Sequence, residues 1–249
     1  MDVFSKVNKW LVWGMGIVFA MGFQSCLDDD NDNWYGKVIP NALVTVKNVD
    51  DGSFFLQLDD STTLLPINVA SSPFGEKEVR ALVNYDEVDE VSGRYSKAVH
   101  INWIDSILTK PIAPDLGEEN DVVYGTDPVE IVRDWVTIAE DGYLTLRFRT
   151  EWGDRTEPHF VNLLKSQDPA NPYEVEFRHN SHGNMWGELA DALVAFDLSD
   201  LPDTQGKTVK LKWKSFDGDK SAEFDYCTRK GTPAASSAIL SQRSILKIQ

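Results

Sequence analysis

The feature that most restricts this chain is a period of two. From Trp34 onward, apolar residues recur at alternate positions in short runs broken by Gly, Pro, Asp and Asn, without a sustained helical repeat. Such runs each bury one face, so the chain is expected to fold as all-β layers. In a first block the runs are "ALVTVKNV" (42–49), "SFFLQL" (53–58), "TTLLPI" (62–67), "EVRALVNY" (78–85) and "YSKAVHINWI" (95–104). Val79, Ala81, Val83 and Tyr85 share one face, and Val99, Ile101 and Trp103 are expected to alternate inward. Five short strands in residues 36–110 suit a small closed barrel. "TKPIAPDLGEEND" (109–121) holds two prolines, a glycine and no periodicity, so residues 111–121 read as a linker.

The second block, 122–230, again reads as strands: "VEIVRDWVTI", "YLTLRFRTEW", "HFVNLLK", "YEVEFRH", "LADALVAFDL", "TVKLKWKSF" and "SAEFDYC". Their spacing is that of an antiparallel β-sandwich. A two-residue turn at Asp217-Gly218 would set Lys212 opposite Glu223 and Lys210 opposite Asp225, with Leu211 facing Phe224 on the buried side. A four-residue loop would slide that register by two and keep the same faces. The row Lys210, Lys212, Lys214 then reads as a solvated face neutralised across the hairpin. Residues 231–249 change to small polar composition and read as a flexible tail.

The five-stranded barrel is OB-like, and OB barrels often bind single-stranded nucleic acid. Charge argues against it. The chain carries 24 Lys+Arg against 40 Asp+Glu, a net −16, and residues 34–108 hold six Lys/Arg against eleven Asp/Glu. A phosphate-tracking groove needs the opposite sign.

The N-terminus addresses location. Lys6 and Lys9 precede "WLVWGMGIVFAMGF" (10–23), an uncharged apolar run shorter than the ~20 residues of a membrane span and suited to a signal-peptide core. Ser25 and Cys26 follow, an arrangement that resembles the lipobox of bacterial lipoproteins. That resemblance implies cleavage of residues 1–25 and a diacylglyceryl anchor on Cys26, although Phe23 and Gln24 depart from the usual aliphatic and small residues. The other reading, an uncleaved anchor with an incidental cysteine, also places the fold outside the cytoplasm. "LDDDNDN" sets Asp28, Asp30 and Asp32 at alternate positions, as an EF-hand loop does. Asn33 and Ile39 stand where that loop needs Gly and Glu, so calcium binding fails. Residues 26–35 read instead as an acidic, self-repelling tether. The tether resembles the export signal of surface lipoproteins in Bacteroidetes, which implies an outer-membrane anchor facing the surface or else the periplasm.

Taken with this N-terminus, "ALVTVKN…FFLQLDDSTTLLP" (42–66), "ALVNYDEV" (81–88), "HINWIDSILTKPI" (100–112), "DWVTIAEDGYLTLRFRTEWG" (134–153) and "LVAFDLSDLP…KTVKLKWKSFDG" (193–218) resemble the NigD-like lipoproteins of Bacteroidetes. The resemblance implies an N-terminal OB-type domain and a C-terminal β-sandwich, and brings no catalytic residues with it.

Chemistry is thinly marked. There is no G-x-S-x-G nucleophile elbow, and Cys227 reads as a spectator thiol at a strand end. Two histidines and a carboxylate can bind zinc, which makes His179, His182, Glu157 and His159 the metal candidates. "RHNSHGN", with a glycine after the second histidine, reads more simply as a polar loop, and neither a metal nor any other cofactor is expected. The adjacent carboxylates Asp86/Glu87, Asp89/Glu90 and Glu118/Glu119 lack the separation that a glycosidase pair needs. Trp152 and Trp186, beside glycines at strand ends, are the aromatics placed to stack on a ligand. The expectation is a non-catalytic binding or interaction module whose partner is an envelope protein, a glycan or a peptide. A metal-dependent or carboxylate-based hydrolase and a structural spacer of an outer-membrane complex are the alternatives.

Overall fold

The computed structural model describes residues 37–49 and 51–226. Cys26, the apolar leader, the tether up to residue 35, Cys227 and the tail 231–249 lie outside the described residues. Five strands, β1 (Ala42–Asn48), β2 (Phe54–Gln57), β3 (Thr63–Pro66), β4 (Val79–Val88) and β5 (Lys97–Ser106), close into a barrel in the order β1-β2-β3-β5-β4. Closure leaves the barrel no free edge, and its interior is filled by Val44, Val46, Leu56, Leu64, Ala81, Val83, Val99 and Ile101.

Trp103 does not join that interior. Asn84 pairs with Trp103 but Tyr85 pairs with Ile101, so Asn102 is an extra residue in β5. A bulge of one residue inverts the side-chain phase beyond it. Ile104 therefore packs inward, and Trp103 turns to a second cluster with Leu43, Leu82, Val136 and Ala195.

Strand β6 (Leu108–Pro111) follows β5 after Ile107 alone and pairs in parallel with a strand of the second block, β12 (Glu188–Asp197). The stretch 111–121 is thus built structure: Pro111 ends β6, the Ala113 amide donates to Leu163 at 2.8 Å, and residues 117–119 form a 3-10 turn. That turn leads into helix α1 (Asn120–Tyr124).

The remaining strands are β7 (Glu130–Val132), β8 (Ile138–Glu140), β9 (Tyr143–Trp152), β10 (Phe160–Lys165), β11 (Glu174–Asn180), β13 (Thr208–Ser215) and β14 (Gly218–Asp225). They form a sandwich of two sheets, β10-β11-β13-β14 and β6-β12-β9-β7, with β8 also on β9. Most pairings are antiparallel, but β11–β13 and β6–β12 run parallel, because the chain crosses between sheets before returning. Leu144, Leu146 and Phe148 of β9 meet Val161, Leu163, Phe177, Leu211 and Trp213 of the facing sheet.

The expected single strand over "VEIVRDWVTI" is divided. β7 and β8 both pair with β9, and residues 133–137 leave the ladder between them. Thr137 fills the gap: its hydroxyl accepts from the Arg147 amide (3.1 Å) and donates to the Val132 carbonyl (2.6 Å). The excursion delivers Trp135 and Val136 to the cluster against the barrel. Between β8 and β9, Asp141 (φ 48°) and Gly142 (φ 80°) form the two-residue turn, with positive φ at both positions as type I′ requires. At the β13–β14 hairpin the register sits two residues from the expected one. Ser215 pairs with Gly218 and Lys210 with Glu223, while Lys212 faces Ser221. Gly218 takes its positive φ of 108° just after the Phe216–Asp217 turn instead of inside it. The faces are preserved.

Barrel and sandwich meet across a buried ion pair. The Arg80 guanidinium of β4 donates to Glu140 of β8 at 2.6 Å, to Thr45 at 3.0 Å and to Thr145 at 3.3 Å. Arg80 and Glu140 side chains are both 0% exposed. Lys47 to Asp141 (2.9 Å) and Tyr143 to Glu78 (2.8 Å) flank it. Removing one member of such a pair strands a charge in a dry interface. Arg80→Met should therefore lower unfolding free energy by about 3–5 kcal/mol in urea titration, and Arg80→Met/Glu140→Met should recover most of that loss.

Candidate functional site

One end of the sandwich is built from two loops, 153–159 joining β9 to β10 and 181–187 joining β11 to β12. Asn184, buried between them, pins one to the other. Its side chain accepts from the Asp154 amide (2.7 Å) and donates to the Asp154 carbonyl (2.8 Å), and its own carbonyl accepts from the Gly153 amide (3.1 Å). Ser181 donates from backbone and hydroxyl to Asp127 (2.8 and 2.6 Å), which ties the second loop to the segment after α1.

Beneath the loops lies a buried aromatic stack. The His159 ring sits 3.8 Å from Trp152 at 12°, and its Nδ1 is 2.9 Å from Nε2 of His179. Burial pushes both histidines down, each to about 4, opposed at His159 by the Asn184 backbone and at both rings by the charge of Asp127. Both rings are therefore neutral at pH 7, and one donates its ring N–H to the other.

Above the stack is an open cleft of about 440 Å³ lined by Asp154, Glu157, Pro158, Phe160, His182 and Trp186, with Ser181, Gly183 and Asn184 completing it. Trp186 is 71% exposed. Its indole rests on Gly153: a Cβ at that glycine would lie 2.2 Å from Cε2 and 2.5 Å from Cδ2. Any side chain there would displace the ring, so glycine sets the platform in place.

The aromatics expected to be exposed thus divide. Trp186 lies at the surface, whereas Trp152 is 2% exposed and belongs to the core. The reason is phase, since Trp152 continues the inward row of Leu144, Leu146 and Phe148. Of the metal candidates, His159 and His179 come together as a buried pair. His182 stands edge-on to Phe160 with ring centroids 5.0 Å apart, and Glu157 lies on the cleft wall. Among the described residues no group of three His, Cys, Asp or Glu side chains is placed to hold a metal ion. Asn184 and Asp127, which fix the site, carried no signal in sequence, because a lone Asn or Asp in a loop names no partner 30 or 54 positions away.

A second groove, beside α1, holds Arg178, Lys212, Lys214 and Lys220. Arg178 pairs with Asp121 (2.6 Å), Lys220 with Glu130 (3.1 Å), and both Lys210 (3.0 Å) and Lys212 with Glu174. The lysine row is neutralised chiefly from the neighbouring strand β11, and not across the hairpin as expected. The same groups hold Glu174 below its ordinary value.

Two measurements test this arrangement. Trp152→Ala should cost about 3–5 kcal/mol of unfolding free energy, as large core aromatics do, and Trp186→Ala less than about 0.5. The histidines also give the pH dependence a sign. Their folded values near 4 lie below the ordinary 6.5, so the unfolded chain binds more protons between those limits. Their contribution is complete above 6.5 and is lost as pH falls towards 4, whereas Asp127 and Asp191, held below 3.8, respond at lower pH. Urea midpoints should drop across that window in the native chain and change less in His159→Gln/His179→Gln.

Comparison with known proteins agrees with the architecture. Residues 43–107 match the NigD-like N-terminal OB domain and residues 111–226 the NigD-like C-terminal beta sandwich domain. No curated protein matches. Among solved structures, a toxin-related protein from Parabacteroides distasonis is 37% identical with a TM-score of 0.61, covering 75% of this chain and 92% of its own. A protein of unknown function from Bacteroides vulgatus is 20% identical at 0.65, covering 84% and 100%. A NigD-like immunity protein from Bacteroides caccae is 21% identical at 0.53, covering 75% and 92%. Matched over both domains, the chain belongs to the NigD-like family.

Proposed function

We propose that this protein is a lipid-anchored envelope protein that acts as a non-catalytic binding module, with the cleft beside Trp186 as its contact site. The observation that carries the reading is Trp186 itself. A large aromatic side chain seated on the Gly153 backbone and left 71% exposed beside a cleft offers a pre-placed face for a ligand to stack on. The loops beneath it are pinned by Asn184, so the site is formed before anything binds. The chain's "GFQSCLDDDNDNW" supplies the anchor and tether in this reading, and Cys26 is the acylated residue. The folded part then faces the cell surface or the periplasm.

Two experiments test it. Cys26→Ser should abolish labelling by radioactive palmitate and release the chain from the membrane fraction, and a variant still labelled would refute the anchor. For the site, a panel of soluble glycans and peptides titrated against tryptophan fluorescence should give a response in the native chain that Trp186→Ala loses. Turnover of a panel member, abolished by Glu157→Gln, would replace the binding reading with a hydrolytic one.

A further inference from the structure

We propose that the Trp186 cleft takes a cationic side chain, and that its occupant is a basic peptide segment presenting Lys or Arg. The inference rests on the binding reading above and adds the chemical class of the ligand.

The cleft walls carry Asp154 and Glu157, both exposed, and no Lys or Arg lines the cleft. Among the described residues neither carboxylate is held in an ion pair. One oxygen of Asp154 is committed to the Thr156 amide (2.8 Å) and hydroxyl (2.7 Å). These hydrogen bonds keep Asp154 ionised, and they fix its orientation. The contrast with the groove beside α1 is direct, because its Arg178, Lys212 and Lys220 are each matched by a carboxylate of this chain, Asp121, Glu174 and Glu130.

An indole face beside two carboxylates is the arrangement that holds an ammonium or guanidinium group. The ring quadrupole attracts the cation from one side, and the carboxylates accept its N–H donors. Phe160 and Pro158 give the aliphatic stem of Lys or Arg an apolar surface to lie on. The net charge of −16 acts in the same direction at long range, drawing a basic segment towards the protein. A neutral glycan would stack on the same ring, but it would leave both carboxylates without counter-charge.

The test uses the full chain in non-ionic detergent, with heat of binding in a calorimetric titration as the readout, which does not depend on Trp186 as reporter. The probes are a blocked hexalysine, a blocked hexaglutamate and maltohexaose. Hexalysine should bind, with affinity falling about fivefold in Trp186→Ala and again about fivefold in Asp154→Asn/Glu157→Gln. Trp186→Phe, which keeps an aromatic face, should recover part of the loss. Asp89→Asn/Glu90→Gln removes the same charge from an exposed barrel turn and should change nothing. Equal weakening in that control variant, or binding of hexaglutamate, would overturn the proposal as diffuse electrostatics. Maltohexaose binding that depends on Trp186 and not on the two carboxylates would overturn the cationic class and leave the binding module standing. Silence towards all three probes would remove the cationic class and count against the binding site itself.

Discussion

Arg80 is the residue around which the two domains are arranged. It projects from β4 out of the barrel and would be a lone charge in a dry interface were Glu140 not placed 2.6 Å away by the β8–β9 hairpin. Glu140 in turn is set by the Asp141–Gly142 turn, whose tight geometry fixes the register of β8 on β9. Arg80 also satisfies Thr45 and Thr145, one from each domain. A buried charge tolerates little displacement, so barrel and sandwich must hold one relative position for the pair to be satisfied. This explains why β9 is buried along nearly its whole length and on both faces, where a sandwich strand ordinarily shows one face to water. Leu43 and Leu82 of the barrel pack with Val136 and Ala195 of the sandwich in one apolar cluster between the two domains.

Alternation was enough to find most of the strands, because each buries one face and the apolar residues say which, but not β6, whose four residues Leu108–Pro111 show no alternation. It was not enough where a single residue changes the phase or the partner. Asn102 is unremarkable in sequence, yet as a bulge it sends Trp103 to the domain interface. "VEIVRDWVTI" was read as one strand although the polar pair Arg133-Asp134 breaks its alternation, and there the chain leaves the ladder to place Trp135 and Val136 against the barrel. The lysine row was assigned to the correct face and to the wrong neighbour, because hairpin partners are visible in sequence and parallel partners from elsewhere in the chain are not.

The same limit governs the site. Trp186 stood out through its flanking glycine, and Trp152 did too, although the inward row from Leu144 to Phe148 already assigned Trp152 to the core. The pairing of His159 with His179 rests on the β10–β11 register, in which Val161 lies opposite His179. Within "EFRHNSHGN", His179 continues the inward row of Val175 and Phe177, whereas His182 lies beyond the strand with a positive φ of 52° in the loop. The result is a rigid, uncharged floor of histidine and tryptophan below an open, acidic rim. The floor supplies stability near neutral pH, and the rim is free to differ in sequence without unsettling the sandwich.

The parallel seating of β6 on β12 carries a consequence for how the chain acquires its shape. The barrel strands lie within residues 42–106 and can close using neighbours already at hand. Strand β6, one residue further on, has its partner in a segment that aligns Leu108 with Val194, 86 positions later. Long-range parallel pairing of this kind is slow to form. A finished barrel therefore carries an unpaired strand edge at its exit until nearly the whole sandwich sequence is present. That interval is when the chain is most open to joining a second copy of itself, and any factor that shields Leu108–Pro111 would raise the yield of folded protein.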